Sequence, residues 1–217
     1  VRAPTEKISH IQELRRPSVS IDNKLERYQQ MLTMVKGLEP IPTAVAHPCD
    51  KESLKGPVIA FQEGIIEPIL VGPESKIRAV AEEFGIDLHG IRIVNARHSH
   101  DSAAIAVSLV RTGDAEALMK GSLHTDELMA EVVSRANGLR TSRRISHVFL
   151  MNVPTYHRPL LITDAAINIA PTLEDKVDIV QNAIDLAHII GIPEPKVAIL
   201  SAVETVNPKI QSTLDAA

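Results

Sequence analysis

A turn over residues 120–125 carries side chains suited to binding an anion. The apolar residues before it predict a strand that ends at the turn, and the spacing of apolar residues after it predicts a helix over residues 126–136. Gly121 would allow a close backbone approach, and Ser122 and Thr125 can cap the N–H groups of the helix. Unpaired N–H groups and the positive end of the helix dipole favour a phosphate or carboxylate at such a helix start.

A second group of anion-binding side chains follows the predicted helix. Arg140, Arg143 and Arg144 are interleaved with Thr141 and Ser142. A planar guanidinium group can bind a phosphate through two hydrogen bonds at once, so these five residues predict a second anion-binding surface. A cap on the helix C-terminus is the alternative for Arg140, and a solvated loop is the alternative for all three arginines.

Several other polar side chains lie where strands are predicted to end. His124 lies inside the turn and could donate to a phosphate or a carbonyl oxygen, or its ring could be satisfied by backbone groups. Asp164 and Asn168 follow a later strand, where an Asp can act as a base, bind a metal or cap a turn. His98 and His100 resemble a zinc pair, but no cysteine lies nearby and helix capping explains this segment better, so we expect no metal.

The composition excludes several classes of protein. The chain has 217 residues, of which 44% are hydrophobic, and this is ample for a buried core. A net charge of -4 argues against a dedicated nucleic-acid binder. A single cysteine, Cys49, excludes an internal disulfide and favours a cytoplasmic protein. No apolar run is long enough to predict a membrane span, and residues 1–22 have no secretory apolar region.

Short strands and amphipathic helices alternate along the chain, which is typical of parallel βαβ units in a doubly wound α/β sheet. We predict a linker or arm over residues 1–22, a first α/β domain over residues 23–146 and a second over residues 147–217. Ligands on such sheets bind at the carboxyl ends of the strands. The predicted strands are residues 43–47, 67–71, 91–95, 117–120, 148–153, 160–163 and 197–201. The predicted helices are one that begins at Asp22 and is ended by Gly37, then residues 51–62, interrupted near Gly56-Pro57, then 74–84, 102–111, 126–136 and a long helix from Thr172.

Four ungapped blocks of this sequence resemble the phosphate acetyltransferase and phosphate butyryltransferase family. Together they make the resemblance more specific than any single glycine motif, and it covers the chain from about Lys24 onward. The blocks are Lys120-Gly121-Ser122-Leu123-His124-Thr125-Asp126-Glu127-Leu128; Gly138-Leu139-Arg140-Thr141-Ser142-Arg143-Arg144-Ile145-Ser146-His147; Leu161-Ile162-Thr163-Asp164-Ala165-Ala166-Ile167-Asn168-Ile169-Ala170-Pro171; and Ala198-Ile199-Leu200-Ser201-Ala202-Val203-Glu204-Thr205-Val206-Asn207-Pro208.

The resemblance implies two three-layer αβα domains of the isocitrate and isopropylmalate dehydrogenase-like architecture, with the active site in the cleft between them. It implies that acyl-CoA and orthophosphate give acyl phosphate and coenzyme A, through direct attack of the CoA thiolate on the acyl phosphate in a ternary complex. Coenzyme A is then a substrate, and no metal or other cofactor is expected. On this basis Arg143 and Arg144 are expected to bind the phosphoryl group, with Ser122 and Thr125 as further contacts. A homodimer is also implied.

The resemblance also implies a longer protein. Members of the family run on the order of a hundred residues further, as two full domains require, and the carboxylate base is expected beyond Ala217. We therefore assign no catalytic residue, expect an incomplete second domain and expect the 217-residue chain to be nearly inactive. The first residues resemble the tail of an enoyl-CoA hydratase module, which predicts such a module fused at the N-terminus.

Three alternative functions remain open at this stage. Butyryl transfer is one, although the suspected hydratase fusion favours acetyl. A non-catalytic module that binds coenzyme A or phosphate is the second. A dehydrogenase of the related architecture is the third, but no Gly-x-Gly-x-x-Gly fingerprint follows any predicted strand.

Overall fold

The computed structural model describes residues 22–153, 156 and 158–217, and the chain forms two compact units. One unit is Met34–Arg144; the other contains residues 145–217 together with residues 22–33. The predicted linker at residues 1–22 lies outside the described residues except for its last position. No helix within the described ranges is both long enough and apolar enough to cross a membrane.

Helices and strands alternate through most of the chain, which confirms the predicted α/β class. The elements are α1 Asp22–Val35, β1 Ile41–Ala46, α2 Lys51–Gln62, β2 Ile66–Gly72, α3 Glu74–Phe84, β3 Arg92–Asn95, α4 Ser99–Thr112, β4 Ala117–Lys120, α5 Thr125–Val132, β5 Val148–Met151, β6 Leu160–Thr163, α6 Leu173–Ile189 and α7 Gln211–Asp215.

The unit Met34–Arg144 contains a four-stranded, wholly parallel sheet in the order β3-β2-β1-β4. The chain moves outward from β1 through β2 to β3 and then returns to place β4 on the other side of β1. The strand order therefore reverses between β1 and β4, where Ala46 is the register partner of Lys120. This is a doubly wound topology with its switch point at the β1–β4 pair.

Both faces of this sheet are buried, because alternate strand residues contribute to two separate cores. Ala44 and Ala46 of β1 face the residues of α4 and α5, whereas Val45 faces α2 and α3. The sheet is thus the middle layer of a three-layer αβα unit. The core on the α4 and α5 side includes Ala44, Ala46, Ile69, Val71, Ala103, Ala106, Val107, Leu123 and Leu128; the other includes Val45, Leu54, Leu70, Ile77 and Ala81.

Side-chain caps mark the starts of α2, α4 and α6. In α2 the Asp50 side chain accepts from the backbone N–H of Ser53, and the Ser53 hydroxyl accepts in return from the Asp50 backbone. The predicted interruption near Gly56-Pro57 is wrong, because α2 continues through Pro57. Proline has no backbone N–H, so one helical hydrogen bond is missing at this position. The ring of Pro57 is buried in the fold.

Helices α4 and α5 differ from their predicted bounds. Helix α4 begins at Ser99, earlier than predicted, because the His98 side chain accepts from the Asp101 N–H as the N-cap. Helix α5 ends at Val132 rather than at residue 136. Beyond it the chain turns back tightly, with the Leu139 N–H donating to the Val132 carbonyl.

The unit that contains residues 145–217 has a two-stranded sheet of β5 and β6, and this sheet is antiparallel. The sequence predicted both strands but did not assign how they pair. Only residues 152–159 connect them, and a crossover to a parallel strand needs about a dozen residues or more. The strand predicted at residues 197–201 is wrong, because that segment forms neither strand nor helix.

Candidate active site

The carboxyl ends of β1 and β4 meet at the switch point of the parallel sheet, which is where ligands bind in open α/β folds. The segments that leave these two ends are hydrogen-bonded to each other. The Gly121 N–H donates to the Ala46 carbonyl at 2.8 Å, and the Ser122 N–H donates to the His47 carbonyl at 2.9 Å. We call this set of residues, with Cys49, the β1–β4 latch.

The side chain of Ser122 completes the β1–β4 latch. Its hydroxyl donates to the His47 carbonyl at 2.8 Å and accepts from the Cys49 N–H at 3.1 Å. Because a hydroxyl has a single proton and the Ser122 N–H already donates to His47, Ser122 can offer a ligand only a remaining hydroxyl lone pair or its backbone carbonyl. The structure therefore places this predicted substrate-binding residue at the switch point and gives it a definite role in joining two strand ends.

Gly121 is required by the close approach of the two segments. A Cβ at this position would lie 2.4 Å from the Ala46 carbonyl oxygen and 2.6 Å from that of His47. Both are backbone atoms, which cannot move aside as a flexible side chain can. The glycine in the Lys-Gly-Ser turn thus serves strand-to-strand contact.

His47 was not identified from the sequence, yet it is the residue of the β1–β4 latch with the most unusual geometry. Its backbone has a φ of 56°, in the left-handed region that non-glycine residues seldom occupy. Its Nδ1 lies 3.0 Å from the Ser102 hydroxyl, which is fully buried. Burial lowers the pKa of the imidazole, as does the charge of Lys76, while the charge of Glu127 raises it. The only signal available in the sequence was its position at the end of a predicted strand.

Cys49 also lies in the β1–β4 latch. Burial raises the pKa of its thiol to about 11, although the charge of Lys76 acts in the opposite direction. At neutral pH the group is therefore a protonated thiol, and the reactive thiolate form is scarce. A thiol held in this form is suited to packing rather than to nucleophilic chemistry.

The first turn of α5 holds His124 at the N-cap, where its side chain makes no capping hydrogen bond, so the expected side-chain caps are not formed there. His124 and Thr125 are both exposed. Asp126 and Glu127 follow in the same turn, and their negative charges already interact with the positive end of the helix dipole. The turn thus has the exposed N–H groups of a helix start but also two carboxylates that would oppose a bound anion.

Glu127 combines burial with an unpaired oxygen. Its side chain is 16% exposed, and its Oε1 lies 3.6 Å from Nδ1 of His100. Its Oε2 is buried and has no hydrogen-bond partner among the described residues. A buried acceptor without a donor is destabilising, so this atom stands out from the rest of the unit.

The arginine-containing segment, residues 140–144, is the end of the unit Met34–Arg144 and forms neither helix nor strand. Arg140, Ser142, Arg143 and Arg144 are all exposed. The Arg143 N–H donates to the Thr141 hydroxyl, which fixes a local turn in the middle of the segment. The guanidinium groups therefore lie where a solvent-borne anion could contact them.

Asp164 and Asn168 lie in the other unit and are in direct contact with each other, because the Asn168 side-chain amide donates to the Asp164 carboxylate. The same carboxylate accepts from the backbone N–H groups of His147, Ala166, Ile167 and Asn168. Burial acts to raise the pKa of the Asp164 carboxyl, but these hydrogen bonds outweigh it and hold the pKa below its usual range. The carboxylate thus organises the turn that follows β6.

The histidines near the start of α4 both have neighbours within the fold, His98 in the N-cap and His100 beside Glu127. His98 caps the helix, as described above, and Asp101 pairs with the Arg97 guanidinium group. Across the residues that the structure describes, no group of three or more His, Cys, Asp or Glu side chains could hold a metal ion.

Comparison with known proteins places this geometry in a family. A relative from Rhizobium meliloti, a phosphate acetyltransferase, is 59% identical over 191 residues, covering 88% of this chain and 60% of the relative. A phosphate butyryltransferase from Clostridium acetobutylicum is 39% identical over 193 residues, covering 89% of this chain and 64% of the relative. The chain therefore spans less than two thirds of the length of either relative.

A solved structure and a family model agree with these relatives. The crystal structure of a phosphotransacetylase from Streptococcus pyogenes has the same fold, with a TM-score of 0.72 over 89% of this chain and 67% of that one, at 21% identity. The model for phosphate acetyl/butaryl transferase matches residues 98–217, which include α5, the arginine-containing segment and the Asp164 turn. From these matches over more than half of its length, the chain belongs to the phosphate acetyl/butaryl transferase family.

Proposed function

We propose that the protein to which this chain belongs interconverts acetyl-CoA plus orthophosphate and acetyl phosphate plus coenzyme A. The observation that carries this proposal is the 59% identity to a phosphate acetyltransferase, against 39% to a phosphate butyryltransferase. Butyryl transfer is the second candidate, because the butyryltransferase still matches 89% of the chain.

The proposed reaction transfers the acyl group from one negatively charged substrate to another. The thiolate of coenzyme A attacks the carbonyl carbon of the acyl phosphate and forms the S–C bond. The bond between that carbon and the bridging oxygen breaks, and orthophosphate leaves with the oxygen and the electron pair. Both substrates must be held together in one ternary complex, and donors must already be in place for the oxyanion. No metal or other cofactor takes part in this scheme, since coenzyme A is itself a substrate.

The arginine-containing segment is the proposed site for the phosphoryl group. Arg140, Arg143 and Arg144 are exposed and carry the planar forks that bind phosphate through paired hydrogen bonds. Ser142 adds a hydroxyl donor within the same segment. A cluster of local positive charge is required here, because the whole chain has a net charge of -4.

The β1–β4 latch and the start of α5 form the second part of the proposed site. Ser122, His124 and Thr125 are proposed to contact substrate at the switch point, Ser122 through its backbone carbonyl and remaining hydroxyl lone pair. Asp164 and Asn168 are proposed to act through the turn they hold, since the carboxylate already accepts several N–H groups. The catalytic base is not assigned to any of these residues.

Several properties of the whole protein belong to the same proposal. We propose a cytoplasmic homodimer that binds small molecules and neither nucleic acid nor membranes. The single cysteine supports the cytoplasmic location, and the negative net charge argues against nucleic acid. The homodimer is proposed on the family resemblance alone. A hydratase module fused at the N-terminus is proposed only because the sequence of the first residues resembles the tail of such a module.

The test is a thioester-absorbance assay on the full-length product of the gene that encodes this sequence. Coenzyme A is supplied with acetyl phosphate or, in parallel, with butyryl phosphate. We expect thioester to form with both and kcat/KM to be higher for acetyl phosphate. A higher value for butyryl phosphate would favour the second candidate. No thioester from either donor, with coenzyme A still bound, would indicate a binding module without chemistry.

A further inference from the structure

Among the residues that the structure describes, two hydrogen-bond acceptors at the switch point have no donor, and the first is on Glu127. Its Oε2 is buried without a partner among the described residues, while Oε1 faces His100 on the first turn of α4. A carboxylate oxygen can only accept, so a ligand that satisfies it must bring an N–H or O–H group.

The second acceptor is on His47, and the hydrogen bonds around Ser102 identify it. The Ser102 hydroxyl donates its one proton to the His98 carbonyl at 2.8 Å. Its 3.0 Å contact with His47 therefore requires Nδ1–H of the imidazole to be the donor. The lone pair of the neutral ring is then on Nε2, at the carboxyl end of β1.

Both acceptors are tied to the same turn of α4. His47 contacts Ser102 and Glu127 contacts His100, and these partners are two positions apart at the start of that helix. The charge of Glu127 also acts on the imidazole of His47, against burial and the charges of Lys76 and His98, which together favour the neutral ring. We call His47, His100 and Glu127 the acceptor corner.

The charge of the acceptor corner determines the kind of ligand that fits it. Glu127 and the neighbouring Asp126 are negative, and both lie at the turn where an anion would otherwise be expected. A phosphate there would meet two carboxylates, whereas an amide or hydroxyl group would supply the missing donors.

We propose that the acceptor corner binds the amide-bearing arm of coenzyme A, whose N–H groups donate to Glu127 and His47, while phosphate binds elsewhere. The inference rests on the proposed function, since it takes coenzyme A as the ligand. The inference assigns two surfaces of the unit to different chemical groups. The acceptors at the switch point bind the neutral arm, and the exposed arginines bind the phosphoryl group.

The test compares Glu127→Gln with Asp126→Asn by calorimetric titration. The two substitutions remove the same charge from the same helix turn, but Asp126 is exposed and serves as the matched control. The probes are coenzyme A, pantetheine and inorganic phosphate, each added separately to the full-length protein. We expect Glu127→Gln to weaken binding of coenzyme A and pantetheine about ten- to hundredfold and Asp126→Asn to change it less than about twofold.

A nitrogen-15 NMR measurement on the unsubstituted chain provides a second readout. The tautomer inferred above predicts a protonated Nδ1 on His47, and pantetheine is expected to shift the Nε2 resonance while inorganic phosphate is not. A protonated Nε2 in the unliganded chain would overturn the assignment of this acceptor. A shift with phosphate and none with pantetheine would overturn the inference as a whole.

The remaining outcomes separate the inference from the proposed function. If acyl transfer occurs and Glu127→Gln binds coenzyme A normally, only the inference fails. If Glu127→Gln tightens phosphate binding, the corner is an anion site and the inference fails. If Glu127→Gln weakens coenzyme A binding but acyl transfer is absent, the inference holds and the proposed function fails. If the unsubstituted full-length protein binds no coenzyme A, both fail.

Discussion

The hydroxyl of Ser122 donates to the carbonyl oxygen of His47, and this bond joins the ends of the two strands at which the sheet reverses its order. The same hydroxyl accepts from the Cys49 N–H. One small side chain thus holds both segments of the candidate site in register.

Ser122→Ala is expected to lower the free energy of unfolding by about 1–2 kcal/mol, because two hydrogen bonds of ordinary strength are lost. The His47 carbonyl keeps the Ser122 N–H as a donor, and the Cys49 N–H loses the serine hydroxyl but keeps its 2.9 Å hydrogen bond to the His47 carbonyl. Urea denaturation measures the change. Ser142→Ala is the control, since this exposed serine should contribute less than about 0.5 kcal/mol. Equal effects of the two substitutions would contradict the proposed role of the β1–β4 latch.

Gly121→Ala and Gly56→Ala are expected to change stability in opposite directions. The new Cβ at residue 121 would meet two backbone carbonyls, and relieving that overlap should cost about 1–3 kcal/mol. Gly56 lies inside α2 with nothing within 4 Å of an added Cβ, so alanine there should stabilise by about 0.5–1 kcal/mol. Thermal unfolding of both variants checks the signs, and stabilisation by Gly121→Ala would refute the close approach.

The lowered pKa of His47 predicts a pH dependence of stability. Burial, with the charge of Lys76, lowers the pKa from the usual 6.5. The unfolded chain therefore binds the proton more readily than the folded one between the two pKa values. The contribution of His47 is fully present above about pH 6.5 and is lost as the pH falls through the folded pKa.

Unfolding free energies of the unsubstituted chain and His47→Asn, measured in urea from pH 8 to pH 5, test this expectation. Asparagine tolerates the left-handed backbone but does not titrate. We expect a shallower loss of stability in the variant. Parallel curves would show that His47 does not titrate differently in the folded state.

Asp164→Asn is expected to lower the free energy of unfolding by about 1.5–3 kcal/mol, because hydrogen bonds to a charged group are lost and the new amide presents N–H groups to N–H groups. The measurement is chemical denaturation monitored by circular dichroism. Glu174→Gln, at an exposed position in the first turn of α6, is the control with the same loss of charge. Unchanged stability with lost acyl transfer would instead indicate direct contact between Asp164 and substrate.

Arg143→Lys and Arg144→Lys are each expected to raise the KM for acetyl phosphate about tenfold while leaving the melting temperature unchanged. Lysine keeps the charge but cannot form the paired hydrogen bonds of the guanidinium fork. Steady-state kinetics of the full-length protein supply the KM values. Arg111→Lys, at the exposed end of α4, is the control and should match the unsubstituted protein. An unaltered KM in both variants would move the phosphoryl site away from this segment.

Local patterns predicted the parallel sheet well, because each strand is short, apolar and followed by a helix with its own start and stop signals. The bounds of α2, α3, β4 and β6 agree with the structure. The antiparallel pairing of β5 and β6 could also have been inferred, since residues 152–159 are too few for a crossover. Residues 197–201 have a strand-like composition, but composition does not supply a neighbouring strand to pair with.

The candidate site was only partly predictable. The turn at Lys120 marked the correct strand end, but the partners of Ser122 come from residues more than seventy positions earlier, and spacing cannot reveal such contacts. His47 was missed because nothing in its neighbours signals a left-handed backbone at a non-glycine residue. The unpaired oxygen of Glu127 depends on how α4 and α5 pack, which a single sequence does not specify.

The single cysteine gives this chain a built-in chemical reporter. Cys49 sits beside Ser122, and with a pKa of about 11 its sulfur is almost entirely unreactive toward iodoacetamide while the strand ends stay joined. The alkylation rate, followed by mass spectrometry, therefore reports how often the segments that follow β1 and β4 separate. A substrate that slows the alkylation of Cys49 would thereby report its own binding near the β1–β4 latch, without a dye, a tag or any change to the sequence.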